Sequence, residues 1–389
     1  MKRLTHAFPL LLALAAACQD SSAVPTATRP LFAALAPSAC PTPATVTVSD
    51  EAGLRAALAA ATPGTVIGIR GMIGITQDDT IATADVTLTC ATPGSGLFAV
   101  AGSGVQDLLI AAAKRDVVDR LVLDASQAGD SPLAGFNDGT TFFAESIRFT
   151  NNAAMCAPGG ECVFISGGLG AVVTDNHFEA PGSFSGIQLQ VDVARVDGAR
   201  IERNTLVATA PSIGPRQGGI RPADAADVVI ADNTVVGPWR NGLSGARLAR
   251  SRVQGNQLRG AVRNGIRLSD AGPLFIGGRP ASDNLFSNNR IAASGEAGIF
   301  AHLACRNAFI GNNLQGNAGD IGAIFPDSSG ANTLTGNGTI VVDDGAFDCD
   351  ADGLNDPNII TGAAAVRHGL HLGEAVSGAV RTVRGITVQ

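Results

Sequence analysis

An asparagine returns once per repeat through the middle of the chain, within the pattern apolar-x-x-Asn-x-apolar. Seven copies are present, and their asparagines are Asn176, Asn204, Asn233, Asn256, Asn289, Asn312 and Asn337. Neighbouring asparagines are 28, 29, 23, 33, 23 and 25 residues apart. A repeat of this length is the signature of a solenoid, in which each repeat forms one turn of a stack.

A second marker lies between the asparagines and consists of a small or polar residue, a glycine and an apolar residue. Its copies are centred on Gly186, Gly219, Gly242, Gly265 and Gly298. The apolar runs alternate with period two, and no repeat contains an apolar stripe of helical period. A coil of about 23 residues holds three short strands joined by turns, and coils stack at roughly 4.8 Å. The sequence therefore predicts an all-β parallel solenoid rather than an array of helices.

The repeated asparagine itself is predicted to be structural. Asparagine tolerates the left-handed backbone of tight turns and bonds to nearby main chain. In a stack of coils, each amide can also bond the equivalent amide above and below it. We therefore expect a buried ladder of asparagine side chains along one corner of the solenoid.

With these two markers, residues 46–362 resemble a right-handed parallel β-helix of the pectate-lyase-like superfamily, in its generic bacterial repeat form. The resemblance implies coils of three strands. It does not imply one activity, because that fold carries lyases, hydrolases, epimerases and proteins without enzymatic function. The related polygalacturonases carry Asn-Thr-Asp, paired Asp-Asp and Gly-His-Gly motifs, which the coils of this chain lack in that form.

The first residues indicate export. Lys2 and Arg3 precede an apolar stretch over residues 8–17 that is too short to span a bilayer. Residues 14–18 resemble a bacterial lipoprotein signal, so residues 1–17 are predicted to be a signal peptide and Cys18 to carry lipid. An ordinary signal peptidase site after Ala17 is the alternative. Residues 18–45 are rich in Ala, Pro, Ser and Thr and are predicted to form a flexible tether.

Six further cysteines fit an exported protein, in which an even number indicates disulfides. Six cysteines allow fifteen pairings. From their positions we expect Cys156 to pair with Cys162, Cys40 with Cys90, and Cys305 with Cys349. We expect a monomer in the bacterial cell envelope, as an outer membrane lipoprotein or at the cell surface, with secretion as the alternative. A net charge of −7 argues against nucleic acid as a partner.

Both ends of a solenoid must be covered. Residues 46–64 predict an N-terminal capping helix with Ser49 as its N-cap, and Leu54, Ala57, Leu58 and Ala61 on its apolar face. Residues 363–389 are predicted to supply cover strands at the other end.

Around each glycine marker, alternation places Ile266 and Leu268 inside the solenoid and Arg267 outside. Stacking then gathers polar side chains on one face as a groove for an acidic polysaccharide. The predicted substrate-binding residues are Arg221, Trp239, Arg240, Arg263, Arg267 and Glu296. Arginine forks bind uronate carboxylates, and Trp239 would stack on a sugar ring. The alternative is that these arginines only keep an exposed sheet face soluble.

The same face supplies the catalytic candidates Arg263, Arg267 and His302. A lyase needs a base to remove the proton beside the carboxylate and a cation to neutralise that carboxylate. The sequence favours a polysaccharide lyase over a glycoside hydrolase if the chain is an enzyme. It leaves open a non-catalytic module for adhesion or envelope scaffolding.

An acidic loop near the end of the repeats resembles a calcium-binding loop. Asp348, Asp350, Asp352 and Asp356 alternate with other residues, and Gly353 occupies the sixth position. Ile359 stands at the twelfth position, where such loops have a bidentate carboxylate. Calcium is therefore the candidate cofactor, and an acidic turn held by a disulfide is the alternative.

Overall fold

The computed structural model describes residues 39–40, 43–136, 144–190, 196–212, 218–268, 280–326, 328–336 and 339–368. These residues form a solenoid of parallel strands, and the chain visits three long sheets in the same order in each turn. The longest two sheets contain 13 and 12 strands over the described residues, which corresponds to about 12 turns. The all-β parallel solenoid predicted from the asparagine spacing is confirmed.

Sheet 1 consists of β1 (Val46–Val48), β2 (Val66–Ile69), β5 (Thr87–Cys90), β8 (Val117–Asp119), β11 (Arg148–Thr150), β14 (Val172–Thr174), β18 (Arg200–Glu202), β22 (Val229–Ala231), β25 (Arg252–Gln254), β29 (Leu285–Ser287), β33 (Ala308–Ile310), β36 (Thr333–Thr335) and β38 (Ile359–Thr361). Sheet 2 consists of β3 (Met72–Ile75), β6 (Gly96–Ala99), β9 (Val122–Asp124), β12 (Ala153–Met155), β15 (His177–Pro181), β19 (Thr205–Ala210), β23 (Thr234–Val236), β26 (Gln257–Arg259) and β30 (Arg290–Ala292). Sheet 3 consists of β4 (Asp79–Ile81), β7 (Asp107–Ala111), β10 (Ser131–Phe136), β13 (Glu161–Ser166), β16 (Ser185–Gln190), β20 (Gly218–Pro222), β24 (Asn241–Gly245), β27 (Asn264–Leu268), β31 (Ile299–Ala301), β34 (Ile321–Phe325), β37 (Ile340–Asp343) and β39 (Ala365–Arg367).

A fourth, short edge was not expected from the sequence. Its strands are β17 (Val196–Asp197), β21 (Ala225–Ala226), β28 (Ala281–Ser282), β32 (Ala304–Cys305) and β35 (Ser329–Gly330). Isolated bridges at Ala249 connect β21 to β28. This edge lies between sheet 3 and sheet 1, where the coils are long enough to hold two additional paired residues.

The capping helix α1 spans Glu51–Ala59 and covers the first coil. Its N-cap is Asp50 rather than Ser49, because the Asp50 carboxylate accepts the Gly53 N–H at 2.7 Å. Leu54 is fully buried, and Ala57, Leu58 and Ala61 pack against the core as expected. A short 3₁₀ helix at Ala318–Asp320 precedes β34. None of the helices in the described ranges has the length and apolar composition needed to cross a bilayer.

The asparagine ladder predicted from the repeat is present at the turn between sheets 1 and 2. Asn233 is buried, and its backbone N–H and its Nδ2 both donate to Asn256 Oδ1, at 3.0 and 2.9 Å. Its Nδ2 also donates to the Ile201 carbonyl of the preceding coil at 2.8 Å. The ladder begins one coil earlier than predicted, at Asn152, which donates to Asn176 Oδ1. Asn337 lies outside the described residues.

A second polar ladder at the entry to sheet 1 was missed from the sequence. Its members are Ser251, Asn284, Asn307, Asn332 and Asn358, and each of the first four donates its backbone N–H to the side chain of the next, one coil further on. Three of these asparagines stand five residues before Asn289, Asn312 and Asn337. That constant offset was the signal in the sequence.

The three expected disulfides join Cys40 to Cys90, Cys156 to Cys162, and Cys305 to Cys349. The first ties the segment before β1 to sheet 1, and the last ties the fourth edge to the acidic loop. β39 continues sheet 3 beyond residue 362, where the solenoid was expected to end. Cys18, the predicted signal peptide and most of the predicted tether lie outside the described residues, as do residues 369–389 of the expected C-terminal cover.

Candidate functional site

The predicted arginine face lies along the outward side of sheet 3. Arg240 and Arg263 precede β24 and β27, and Glu296 lies three residues before β31. Main-chain bonds link them in register: Arg263 N–H donates to the Arg240 carbonyl at 2.9 Å, and Glu296 N–H donates to the Arg263 carbonyl at 2.8 Å. The two guanidinium groups therefore start one coil apart, at a spacing of about 4.8 Å. We refer to Arg240, Arg263, Arg267 and Glu296 as the arginine face.

Arg263 is held by a carboxylate. Its Nε donates to Glu296 Oε1 at 2.6 Å, and the Asn264 amide donates to Glu296 Oε2 at 3.2 Å. The pair is about one-third exposed at the arginine, so it contributes little stability. Its effect is to fix the direction of the Arg263 fork.

Arg240 is in a different situation. Its Nε is buried and has no hydrogen-bond partner among the described residues. Burial lowers the pKa of Arg240, and the positive charge of Arg263 lowers it further, while Glu296 opposes both effects. A desolvated cation beside a second cation is stabilised by a bound anion.

The register places Arg221 and Arg267 in one outward column of sheet 3. Gln188 pairs with Arg221, Ser244 with Arg267, and Arg267 with Phe300. The Arg221 fork donates to Gln188 Oε1 at 2.8 Å, and Arg267 Cζ lies 5.2 Å from the centre of the Phe300 ring. This cation–π contact holds the Arg267 guanidinium against the Phe300 ring of the next coil.

The prediction that Trp239 lines the groove is wrong. Trp239 is 1% exposed and belongs to the hydrophobic core. The chain turns at Gly237 before it, and Trp239 N–H donates to the Gly237 carbonyl at 2.8 Å, which directs the indole inward. There it packs against Gly219, where a Cβ would lie 3.4 Å from Trp239 Cδ1. A large apolar ring at this corner stabilises the core more than an exposed position would allow.

Gly265 shows why the glycine marker recurs. A Cβ on Gly265 would stand 2.0 Å from the buried Ile291 side chain of the next coil. Gly219 meets the same obstacle at Val235, at 2.3 Å. The marker therefore reports close approach between coils at the start of sheet 3, which also sets where the arginine face begins.

Of the catalytic candidates, Arg263 and Arg267 are unsuited to act as bases, because a guanidinium stays protonated in proteins. They fit the role of neutralising a substrate carboxylate. His302 is half-buried, and its ring stacks on Phe300 with 6.3 Å between ring centres. The histidine therefore stands beside Arg267 at the same edge of the face.

Sequence reasoning missed a group of carboxylates at the start of sheet 3, a few coils before the arginines. The group comprises Asp107, Asp130 and Glu161. Burial raises the pKa of Asp107 to about 6. Glu161 is 7% exposed, and burial together with a hydrogen bond to Asp130 raises its pKa well above the usual range. The position of these residues in the repeat was the signal that could have identified them. Asp107 and Glu161 occupy the register position of Asn264, the first residue of a glycine marker, and each directly precedes two apolar residues.

The acidic loop brings three of its four predicted ligands together. One carboxylate oxygen from each of Asp348, Asp350 and Asp356 lies within 4.8 Å of the others. Asp352 is not part of that group, and its Oδ1 accepts the Leu354 N–H at 2.8 Å. Two backbone donors, Gly353 N–H at 2.8 Å and Ala351 N–H at 2.7 Å, lower the pKa of Asp348.

The protein-family model for the right-handed β-helix region matches residues 136–344 of this chain. No curated protein matches the sequence. Among solved structures, an alginate lyase from Paenibacillus sp. str. FPU-7 is 14% identical, with 72% of this chain and 98% of that chain covered and a TM-score of 0.49. DFA-IIIase from Arthrobacter chlorophenolicus A6 is 14% identical, with 82% and 88% covered and a TM-score of 0.48. A mutant of the periplasmic alginate epimerase AlgG is 12% identical, with 83% and 84% covered and a TM-score of 0.47.

Proposed function

The chain belongs to the right-handed β-helix family, and we propose that it binds an anionic polysaccharide along the outward face of sheet 3. The observation that carries the proposal is Arg240. Its buried Nε has no partner among the described residues, and its charge is destabilised by burial and by Arg263. A uronate carboxylate placed between Arg240 and Arg263 would accept hydrogen bonds from both forks.

The periodicity of the solenoid suits a polymer. Coils repeat at about 4.8 Å, so equivalent positions on sheet 3 form a straight line along the axis. Arg240 and Arg263 hold equivalent positions in neighbouring coils. Arg221 and Arg267 lie in a parallel column, two coils apart with Ser244 between them, so the four arginines cover three successive coils. A polymer with a carboxylate on each sugar could therefore contact several arginines at once, and such linked contacts strengthen binding beyond any single pair.

Binding, rather than β-elimination, is the role that the arginine face supports. A guanidinium is not a general base in proteins, which leaves His302 as the base for a lyase reaction on this face. The non-catalytic alternative, a module for adhesion or envelope scaffolding, uses the same arginines and the same polymer.

Changing Arg240, Arg263 and Arg267 together to serine is expected to weaken binding to immobilised polyuronate by about 10–100-fold, since each of the three partly exposed charged contacts contributes about 0.5–1 kcal/mol. The measurement is retention on a polyuronate column together with a binding isotherm. The matched control changes Arg252, Arg259 and Arg290 to serine, because these exposed arginines of sheets 1 and 2 remove the same charge from other faces. Equal weakening by both triple variants would show that only net charge matters.

We also propose that the chain is exported and anchored through lipid on Cys18. Three disulfides support the first part, because such crosslinks are typical of proteins in oxidising compartments outside the cytoplasm. The second part rests on the resemblance of residues 14–18 to a lipoprotein signal.

Cys18→Ser is expected to abolish fatty-acid labelling and release the protein from the membrane fraction. Persistent labelling of the Ser variant would contradict lipidation at Cys18.

A bound calcium ion at Asp348, Asp350 and Asp356 is a further part of this proposal. Three oxygens within 4.8 Å provide a partial set of hard ligands. The Arg306 guanidinium, whose pKa is raised mainly by Asp283 and also by Asp350 and Asp356, supplies some of the neutralising charge already. With Ile359 in place of a bidentate carboxylate, we expect weak affinity of about 10⁻⁴–10⁻³ M.

Millimolar calcium is expected to raise the melting temperature relative to chelator, because a ligand that binds only the folded state stabilises it. The Asp350→Asn/Asp356→Asn variant should lose that shift. Asp352→Asn serves as the control, because Asp352 lies outside the three-carboxylate group. An unchanged melting temperature in the parent protein would leave the loop as an acidic turn.

A further inference from the structure

The carboxylates before the arginine face are arranged in register. Ser131 pairs with Asp107, and the pairing of Leu133 with Val163 places Ser131 beside Glu161 in the following coil. Asp107, Ser131 and Glu161 thus occupy one column in three successive coils. Two coil spacings put the Cα atoms of Asp107 and Glu161 about 9–10 Å apart. Side chains from positions this far apart can bring two carboxyl groups to the separation of about 6.5–9.5 Å that leaves room for a water molecule between them.

Neighbouring groups fix both carboxyls. Ser131 donates from Oγ at 2.5 Å and from N–H at 3.1 Å to Asp107 Oδ1. Glu161 shares a hydrogen bond with Asp130, and the adjacent Cys156–Cys162 disulfide closes the loop before it. Such supports hold catalytic groups in place before substrate arrives.

A second observation points to a ligand at this column. Ser185 is the register partner of Glu161 in the next coil and is fully buried. Its Oγ has no hydrogen-bond partner within the part of the chain that the structure describes. A buried hydroxyl without a partner is unfavourable, and a sugar hydroxyl or ring oxygen bound beside Glu161 would satisfy it.

The two carboxyl groups differ in charge at neutral pH. The raised pKa of Glu161 keeps it protonated, as one member of a hydrogen-bonded carboxyl pair with Asp130. Asp107, with a pKa raised to about 6, is mostly ionised at neutral pH yet still basic enough to accept a proton. Environments that separate the pKa values of two nearby carboxyls are characteristic of an acid and a base working together.

We propose that Glu161 and Asp107 hydrolyse a glycosidic bond in the polysaccharide held by the arginine face. The inference rests on the proposed function, because the substrate is the bound polymer. Glu161 gives its proton to the glycosidic oxygen as the bond from the anomeric carbon to that oxygen breaks. Asp107 takes a proton from a water molecule whose oxygen bonds to the anomeric carbon. Asp130 and Ser131 are positioning residues, and water is the only co-reactant.

The two parts of the face lie at compatible distances. Glu161 lies in β13, and Arg240 directly precedes β24. These two strands are three coils apart along sheet 3, so the two residues are separated by about 14 Å along the axis. Arg221 lies between them, and its charge acts on the Glu161 carboxyl. A polymer along the axis therefore reaches both the carboxyl column and the arginines.

The test uses the purified full chain and polymers of mannuronate, guluronate, galacturonate and glucuronate. Retention on each polymer is measured first. Reducing ends and the ultraviolet absorbance of unsaturated uronate are then followed for every polymer that is retained. The parent protein should release reducing ends without unsaturated product. Glu161→Gln and Asp107→Asn should each lower the rate at least about 100-fold while retention stays unchanged.

Glu179→Gln is the matched control, because Glu179 lies in β15 of sheet 2 beside His177 and away from this column. It should cleave at the parent rate. Retention without cleavage, unsaturated products, or full activity of Glu161→Gln would each overturn the inference and leave polysaccharide binding standing. Failure to retain any of the polymers would contradict the proposed function and this inference together.

Discussion

Replacing Asn233 with leucine is expected to lower the free energy of unfolding by about 3–5 kcal/mol, a large part of the 5–15 kcal/mol typical of a folded domain. The side chain donates to Ile201 O and Asn256 Oδ1 and accepts from the N–H and Nδ2 of Asn204, all between 2.8 and 3.0 Å. Leucine removes these four bonds and leaves buried partners in two neighbouring coils unsatisfied. Each such group costs about 1–3 kcal/mol, and the added apolar surface offsets only part of the loss.

Urea unfolding followed by circular dichroism measures the change. Gln257→Leu is the control, because Gln257 is an exposed residue of β26 at the same corner and its replacement should alter stability by less than about 0.5 kcal/mol. Amide hydrogen exchange should also show that protection is lost first in the coils next to residue 233, since contacts in a solenoid are made mainly between neighbours. A loss below about 1 kcal/mol for Asn233→Leu would contradict a cooperative ladder.

The sequence was sufficient for the ladder because its chemical requirement is local and strict. A buried turn that must satisfy two coils at once admits few residues other than asparagine, so Asn204, Asn233 and Asn256 stand out against variable surroundings. The glycine of the second marker is equally constrained, since a Cβ at Gly265 would collide with Ile291. The fold, the inward positions of Ile266 and Leu268, and the outward position of Arg267 all followed from these two constraints.

The site was harder to predict, because it depends on which coil a residue joins and on the depth of the turn before it. Trp239 lies three residues before Gly242 of the glycine marker, a position that is compatible with an exposed aromatic side chain. The turn at Gly237 nevertheless directs it into the core. The pairing of Asp130 with Glu161 joins residues 31 positions apart, and no local motif marks it. Likewise, the second ladder was hidden because Ser251 takes the place of an asparagine in one coil.

Asp116 occupies the same column as this second ladder, and its replacement by asparagine is the other change with a large expected effect. Asp116 is 1% exposed, and its Oδ1 accepts the Val86 N–H at 3.2 Å. Its Oδ2 is buried and has no hydrogen-bond partner among the residues that the structure describes. Asn284 bonds in the same way to the N–H of Ser251, and its Nδ2 adds a bond to Leu248 O. Asp116 therefore takes the place of a ladder asparagine, but its carboxyl group can ionise.

Burial raises the pKa of Asp116 from 3.8 to about 7. The folded state then binds more protons than the unfolded state between these two values, so stability falls as pH rises through this window. Below pH 3.8 both states are protonated and the penalty vanishes, while above about pH 7 the penalty is complete. Asp107 and Glu161 are shifted in the same direction, so the parent protein as a whole should lose stability towards alkaline pH.

Asp116→Asn is expected to raise the free energy of unfolding by about 2–4 kcal/mol at about pH 8 and to change it little at about pH 4. Denaturant unfolding of the variant and the parent across this range gives the difference curve that isolates Asp116 from the other carboxyls. Asp85→Asn is the control of opposite sign, because the hydrogen bond from Arg115 lowers the pKa of exposed Asp85, and its ionised form contributes stability at neutral pH. A difference curve for Asp116→Asn that stays flat from pH 4 to pH 8 would show that Asp116 does not titrate in this window.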